Sequence, residues 1–172
     1  MRVVALDTET TGFSRGLDPS LGHRIVEIAC VEIIDGVVTG KYFHSYLNPQ
    51  REISPGAMRI HGLTNAFLSK QPLFKDVSDS FLRFIGSDLV VIHNAPFDIS
   101  FIDKEFLLLN ERPVSTFHFI DTLLLSRSLF PGLPNGLDSL CRRFEIPERY
   151  THSALGDATI LAYIYLHLIK LL

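Results

Sequence analysis

The feature that most constrains this chain is a pair of long β-type runs joined by the dipeptide Asp35-Gly36. Residues 24–34 and 37–47 are rich in β-branched and aromatic side chains, and Asp-Gly is favoured in two-residue hairpin turns. These runs therefore predict two antiparallel strands. A shorter apolar run at residues 2–6 predicts a buried strand that precedes them.

After the hairpin, the pattern alternates between helix and strand. Helices are predicted at residues 54–62, 74–85, 96–110, 122–129 and 137–144, and from about residue 153 to the C-terminus; further strands are predicted at residues 89–92 and 117–120. Three strands followed by alternating elements predict an α/β fold. Its sheet is expected to be mixed, antiparallel at one edge and parallel further along. A length of 172 residues suits one domain, residues 1–172.

Composition narrows the class of protein. Hydrophobic residues make up 47%, which excludes a disordered chain, and the net charge of −3 argues against a protein that holds nucleic acid by charge alone. Cys30 and Cys141 lie in apolar segments, so we expect buried thiols and a reducing compartment. The terminal apolar runs are too short for a signal peptide or a membrane span. These features predict a soluble, cytoplasmic protein.

The first candidate motif, Asp7-Thr8-Glu9-Thr10-Thr11-Gly12, follows the first predicted strand. Residues two apart in a strand point to the same face, so Asp7 and Glu9 are expected to project together. Two adjacent carboxylates repel each other unless a cation or a proton lies between them. Taken alone, the motif also fits a polar strand end with Gly12 in a turn.

Two further motifs place acids near the starts of helices. Asp98 follows the fourth predicted strand in His93-Asn94-Ala95-Pro96-Phe97-Asp98, where it also suits the helix dipole. We interpret His93 as a hydrogen-bonded residue at the core edge, whereas Asn94 can either contact a substrate or satisfy backbone groups. Asp157 lies near the start of the last helix, and His152, in the loop before it, can lean over the same cleft.

A glycine at position 156, inside the last helix, suggests the close approach of another group. Together the three motifs supply four carboxylates and one histidine at the ends of strands and the beginnings of helices. Carboxylate oxygens are the ligands that Mg²⁺ prefers, and paired metal ions are a known device for phosphodiester hydrolysis. The sequence therefore predicts a metal-dependent hydrolase of phosphodiesters.

The three motifs resemble those of the histidine-containing subclass of DEDD 3′–5′ exonucleases. Residues 22–28, 43–47, 60–64 and 129–132 further resemble the epsilon proofreading subunits of bacterial DNA polymerase III as a group. The resemblance implies a ribonuclease-H-like fold, with a mixed five-stranded sheet that has one antiparallel edge strand and is flanked by helices. It also implies release of nucleoside 5′-monophosphates from DNA 3′ ends, in proofreading during replication.

Roles for individual residues follow from the same resemblance. It implies two divalent ions, Mg²⁺ or Mn²⁺, bound by the four acids Asp7, Glu9, Asp98 and Asp157. His152 would be the general base, because imidazoles titrate near neutral pH. The terminal-nucleotide pocket would be lined by Thr10, Thr11, His61 and Phe97; for Phe97 a purely core position is the alternative.

The implied partners are a single-stranded DNA 3′ end and the catalytic subunit of DNA polymerase III. Epsilon subunits bind the polymerase through a C-terminal segment that these 172 residues do not show, so both an excised domain and a free-standing enzyme fit. An RNA-trimming exonuclease of the oligoribonuclease type fits the motifs equally well, because nothing in them forbids a 2′-hydroxyl. A non-catalytic scaffold and a metal-free proton-transfer enzyme are the remaining alternatives.

Overall fold

The computed structural model describes residues 1–111, 117–147 and 152–172. The strands are β1 (Arg2–Thr10), β2 (Ile25–Ile34), β3 (Val37–Tyr46), β4 (Leu89–Ile92) and β5 (Phe119–Asp121). The helices are α1 (Pro55–His61), α2 (Asn65–Leu68), α3 (Phe74–Ile85), α4 (Ala95–Leu108), α5 (Thr122–Leu129), α6 (Leu137–Phe144) and α7 (Ala154–Ile169). Within these described parts, no helix has the length and apolarity that a membrane span needs.

The five strands form one sheet in the order β3-β2-β1-β4-β5. β1 pairs antiparallel with β2 and parallel with β4, and β2 pairs antiparallel with β3. The predicted mixed sheet is confirmed. The strand that runs against the others is β2, and it lies second in the sheet because the hairpin places β3 outside it. Asp35 and Gly36 have φ angles of 50° and 79°, as a two-residue hairpin turn of type I′ requires.

Helices cover both faces of the sheet. α3 and α4 pack on one face through Phe81, Phe101 and Phe106. α7 packs on the other face through Ala158 and Leu161, and α6 covers the far side of α7. This sandwiched position explains why α7 is apolar on nearly all sides. It also fixes the start of α7 beside the end of β1.

Two details concern the sequence predictions. Cys30 and Cys141 are both buried and form no disulfide, which confirms their interpretation as core residues. The short helix α2 was not predicted, because four residues are too few for a hydrophobic period. It is defined by its N-cap, where the Thr64 hydroxyl accepts a hydrogen bond from Phe67 N–H at 3.2 Å.

Candidate active site

The end of β1 directs its side chains alternately to the two faces of the sheet. Asp7 and Glu9 lie opposite Ala29 and Glu27 of β2, and Ala29 belongs to the cluster that packs under α7. Asp7 and Glu9 therefore project together on the α7 face, where both are partly exposed. Thr8 is buried on the opposite face.

The start of α7 places Asp157 over this face. Ser153 caps the helix by accepting a hydrogen bond from Gly156 N–H at 3.1 Å, and Asp157 is buried in the first turn. A β-carbon on Gly156 would lie 2.8 Å from the Ser153 hydroxyl oxygen. The close approach that the glycine suggested is thus made by the capping side chain of its own helix.

Three side chains from the first and third motifs converge here. Glu9, His152 and Asp157 each offer a ligand atom, and these atoms lie within 4.8 Å of one another. Nδ1 of His152 is 3.8 Å from Oδ2 of Asp157, and the His152 side chain is 44% exposed. Carboxylate oxygens and an imidazole nitrogen at this spacing are a donor set that suits a divalent cation. Asp7 lies outside this group, although it shares the face of Glu9.

Asp98, in the first turn of α4, contacts β1 on the face opposite to that of Asp7 and Glu9. Its Oδ1 accepts hydrogen bonds from Thr8 N–H at 3.1 Å and from the Thr8 hydroxyl at 2.7 Å. Burial raises the pKa of Asp98 to about 7, while the two bonds from Thr8 oppose this shift. The structure therefore places Asp98 outside the group of Glu9, His152 and Asp157, and holds it against the backbone of the residue between Asp7 and Glu9.

An open cleft of about 560 Å³ adjoins Glu9. Its volume falls within the range of roughly 300–1,000 Å³ that is usual for small-ligand sites. The cleft runs between the end of β1, the loop after it, and α1. Its walls include Glu9, Thr10, Phe13, Arg15, His23, Ser54, Ile60, His61 and Phe97. Three of the four pocket residues implied by the resemblance, Thr10, His61 and Phe97, thus lie in one cleft.

His61 is fixed in the wall by both ring nitrogens. Its Nδ1 accepts a hydrogen bond from Leu63 N–H at 3.1 Å, and its Nε2 lies 3.2 Å from the carbonyl oxygen of Thr10. A neutral ring with its hydrogen on Nε2 satisfies both partners. Burial lowers the pKa of His61, which is consistent with this neutral form.

Phe97 contributes to the core and to the cleft together. Its ring packs on Phe101 at 5.0 Å and against the main core cluster, and its edge meets Phe13 at 6.1 Å. Phe13 is 58% exposed, so much of its ring is accessible from the cleft that it lines. Sequence reasoning missed Phe13, Arg15 and His23. Phe13 could have been noticed as an aromatic residue that directly follows the first motif, whereas the other two needed the fold.

Two candidate substrate residues do not line the cleft. Thr11 is fully buried, and its hydroxyl accepts a hydrogen bond from Arg24 N–H and lies 3.1 Å from Nδ1 of His23. Asn94 is exposed at the start of α4, where its φ of 69° is left-handed and its N–H donates to Asp121. His93 bonds the Thr122 hydroxyl at 3.0 Å, at the core edge as expected.

Comparison with known proteins agrees with this geometry. A family model described as Exonuclease matches residues 4–165. The DNA polymerase III epsilon subunit of Buchnera aphidicola is 48% identical over 169 residues, which cover 96% of this chain and 71% of that protein. The epsilon subunit of Rickettsia prowazekii is 46% identical, over 98% of this chain and 74% of its own length.

Solved structures show the same fold. Exonuclease X, in complex with 5′ overhanging duplex DNA, superposes with a TM-score of 0.75 at 31% identity, over 99% of this chain and 91% of its own. The nuclease domain of 3′hExo, a DEDDh family member bound to rAMP, gives a TM-score of 0.80 over 98% of this chain and 92% of its own. At 16% sequence identity, this likeness shows the fold alone. The ribonuclease-H-like fold is confirmed. On the family model and the epsilon relatives, this chain belongs to the exonuclease family and is related to the epsilon subunits of bacterial DNA polymerase III.

Proposed function

We propose that the chain, as one exonuclease domain, removes nucleoside 5′-monophosphates from DNA 3′ ends and proofreads newly made DNA. One observation carries the proposal: Glu9 belongs both to the group that it forms with His152 and Asp157 and to the wall of the 560 Å³ cleft, so the group borders the cleft. A terminal nucleotide in the cleft would present its phosphate to the three side chains.

The acids supply the metal ligands in this proposal. DEDD exonucleases depend on divalent metal ions, and we infer two ions, Mg²⁺ or Mn²⁺, held by Asp7, Glu9, Asp98 and Asp157. The convergence of Glu9 and Asp157 with His152 fits such ions. When bound, divalent ions lower the pKa of water and stabilise the charge that develops on a phosphodiester.

His152 is the general base. Its ring combines closeness to Asp157 with 44% exposure, so it can take a proton from a water molecule and pass it on to solvent. The water oxygen forms the new bond to phosphorus, and the bond from phosphorus to the 3′ oxygen breaks. The shortened strand leaves with a 3′-hydroxyl, whose proton comes from solvent.

The cleft binds the terminal nucleotide. Phe13 and Phe97 present ring surface to a base, which favours stacking without selecting a sequence. We keep Thr10 and His61 as residues of the nucleotide pocket, which they line; hydrogen bonds to Gly12, Leu63 and the Thr10 carbonyl hold their side chains in the wall. We propose that Thr11 and Asn94 support the site rather than line the cleft. Thr11 bonds to Arg24 and His23, and the backbone of Asn94 bonds to Asp121.

The relatives support DNA as the substrate and the catalytic subunit of DNA polymerase III as the partner. The two epsilon subunits carry the polymerase in their names, and exonuclease X was solved with duplex DNA. A proofreader needs little intrinsic grip, because a tether replaces affinity with effective concentration. This agrees with the net charge of −3.

The test compares a single-stranded DNA with an RNA of the same sequence, each labelled at the 5′ end, in Mg²⁺, Mn²⁺ or EDTA. We expect stepwise shortening of the DNA in either metal and none in EDTA, with Glu9→Ala inactive. Faster shortening of the RNA would favour an RNA-trimming enzyme, and activity in EDTA would refute the metal mechanism. For the partner, added chain should lower the error rate of the polymerase subunit in primer extension, and Glu9→Ala should not.

A further inference from the structure

A second acid lies beside Glu9, outside the four carboxylates of the motifs. Glu27 of β2 is the direct partner of Glu9 in the antiparallel register, so the two side chains share the α7 face. Glu27 is only 1% exposed. A carboxylate buried to this extent requires a hydrogen-bonding or charged partner.

The partner of Glu27 is His44 on β3. Nε2 of His44 lies 2.8 Å from Oε1 of Glu27. Since an ionised carboxylate only accepts hydrogen bonds, the hydrogen on Nε2 is donated to Glu27. β3 and β1 flank β2 on opposite sides, so this bond holds the Glu27 carboxylate toward β3 and away from Glu9.

Aromatic packing fixes the imidazole that makes this bond. The ring of His44 meets Tyr46 edge-on, with centroids 4.8 Å apart, and Tyr46 meets Phe67 in the same way at 5.0 Å. The position of Nε2 is therefore set by a row of three packed rings. A surface histidine without such neighbours would hold Glu27 less firmly.

Without His44, Glu27 would compete with Glu9. Directly opposite residues in an antiparallel pair have β-carbons about 4.5–5.5 Å apart, which is within reach of one cation for two glutamates. The negative charge of Glu27 also affects His61 in the wall of the cleft. Burial lowers the pKa of His61, and the charge of Glu27 opposes that shift. A cation drawn toward Glu27 would lie away from His152 and Asp157.

We propose that His44 is a positioning residue that holds Glu27 toward β3, so that of these two glutamates only Glu9 binds the metal ion. This inference rests on the proposed metal site at Glu9. It assigns a function to two residues that lie outside the three motifs of the proposed metal ligands. It also explains how a buried acid can lie beside a metal ligand without taking the metal.

The test measures Mn²⁺ binding by calorimetry and, in parallel, exonuclease kinetics. His44→Leu should weaken Mn²⁺ binding about 10-fold or more, the usual cost of losing an outer contact of a metal site. Its kcat should fall while KM for an oligonucleotide stays unchanged. Glu27→Gln alone should bind Mn²⁺ almost normally, because the amide oxygen still accepts from His44. The double variant His44→Leu/Glu27→Gln should regain Mn²⁺ binding, because the competing carboxylate is gone.

Controls separate positioning from packing. His44→Gln loses the ring but keeps an amide donor, and it should bind Mn²⁺ like wild type. Tyr46→Leu removes a ring that packs on His44 but leaves the His44–Glu27 bond possible, so it should weaken Mn²⁺ binding less than His44→Leu does. If His44→Leu fails to fold, His44→Asn, whose amide is too short to reach Glu27, replaces it.

Three outcomes decide the matter. Failure of the double variant to recover Mn²⁺ binding would overturn the inference, since His44 would then act through packing. Loss of Mn²⁺ binding in Glu27→Gln would overturn it too, since Glu27 would be a ligand. Failure of the proposed metal site itself gives a different result: Glu9→Ala would bind Mn²⁺ as well as wild type.

Discussion

Gly12, at the end of the first motif, cannot be replaced without disturbing the cleft. Its φ of 129° lies in a region that L-residues rarely adopt. A β-carbon at this position would lie 2.7 Å from the Ser54 hydroxyl oxygen and 2.9 Å from Cε1 of His23. Gly12→Ala therefore combines backbone strain with displacement of two side chains that line the cleft.

The expected loss of stability can be estimated from these contacts. Backbone strain of this kind costs about 1–3 kcal/mol. The Ser54 hydroxyl also caps α1 by accepting from Ala57 N–H at 3.2 Å, and loss of such a cap costs about 1 kcal/mol. We expect Gly12→Ala to lower the free energy of unfolding by about 2–4 kcal/mol, the sum of the two effects.

Urea denaturation of the metal-free protein measures this loss. Gly16→Ala is the matched control, because a β-carbon there meets no atom within 4 Å and its φ lies outside the left-handed region. The control should change stability by no more than about 0.5 kcal/mol. A loss below about 1 kcal/mol in Gly12→Ala would refute the reasoning, because strain alone should exceed it.

Three further predictions concern the site. Asp7→Ala should abolish hydrolysis in Mg²⁺ and should not lower the melting temperature of the metal-free protein, because it removes one charge from a repelling cluster; near-normal digestion by this variant would contradict the metal site. His152→Ala should lower kcat by about 10²–10⁴-fold while binding of a single-stranded oligonucleotide stays nearly constant; a loss confined to binding would contradict its role as base. The pKa of His61 is lowered by burial, so the unfolded chain takes up a proton first as the pH falls below 6.5. Wild type should therefore lose more stability in urea between pH 7.5 and pH 5.5 than His61→Gln, and equal losses would count against the buried neutral ring.

The secondary structure was largely predictable because its signals are local. Asp35-Gly36 defined the hairpin, and the predicted strand at residues 89–92 has the bounds of β4. The first and third motifs likewise contain the residues that gather at the end of β1 and the start of α7. Local patterns were sufficient wherever a turn residue or a hydrophobic period determined the structure.

The remaining features depend on contacts between distant segments. Nothing near Asp98 in the sequence indicates that its carboxylate binds Thr8 of β1. The pairing of Glu27 with His44 requires the register of β2 and β3, which a sequence pattern does not fix to a single residue. A glutamate inside an apolar strand was the available signal, since such acids are rarely buried without a partner.

The proposed metal ligands come from opposite ends of the chain: β1 provides Glu9, and α7, the last helix, provides Asp157. During synthesis the N-terminal segments emerge first, so β1 is made before all the other strands and helices that separate it from α7. A contact between such distant residues also forms late in folding, because closing a long loop is entropically costly. On the proposed metal site, a chain cut before residue 152 would keep the acids of β1 but lack His152 and Asp157, and we expect it to have no hydrolytic activity.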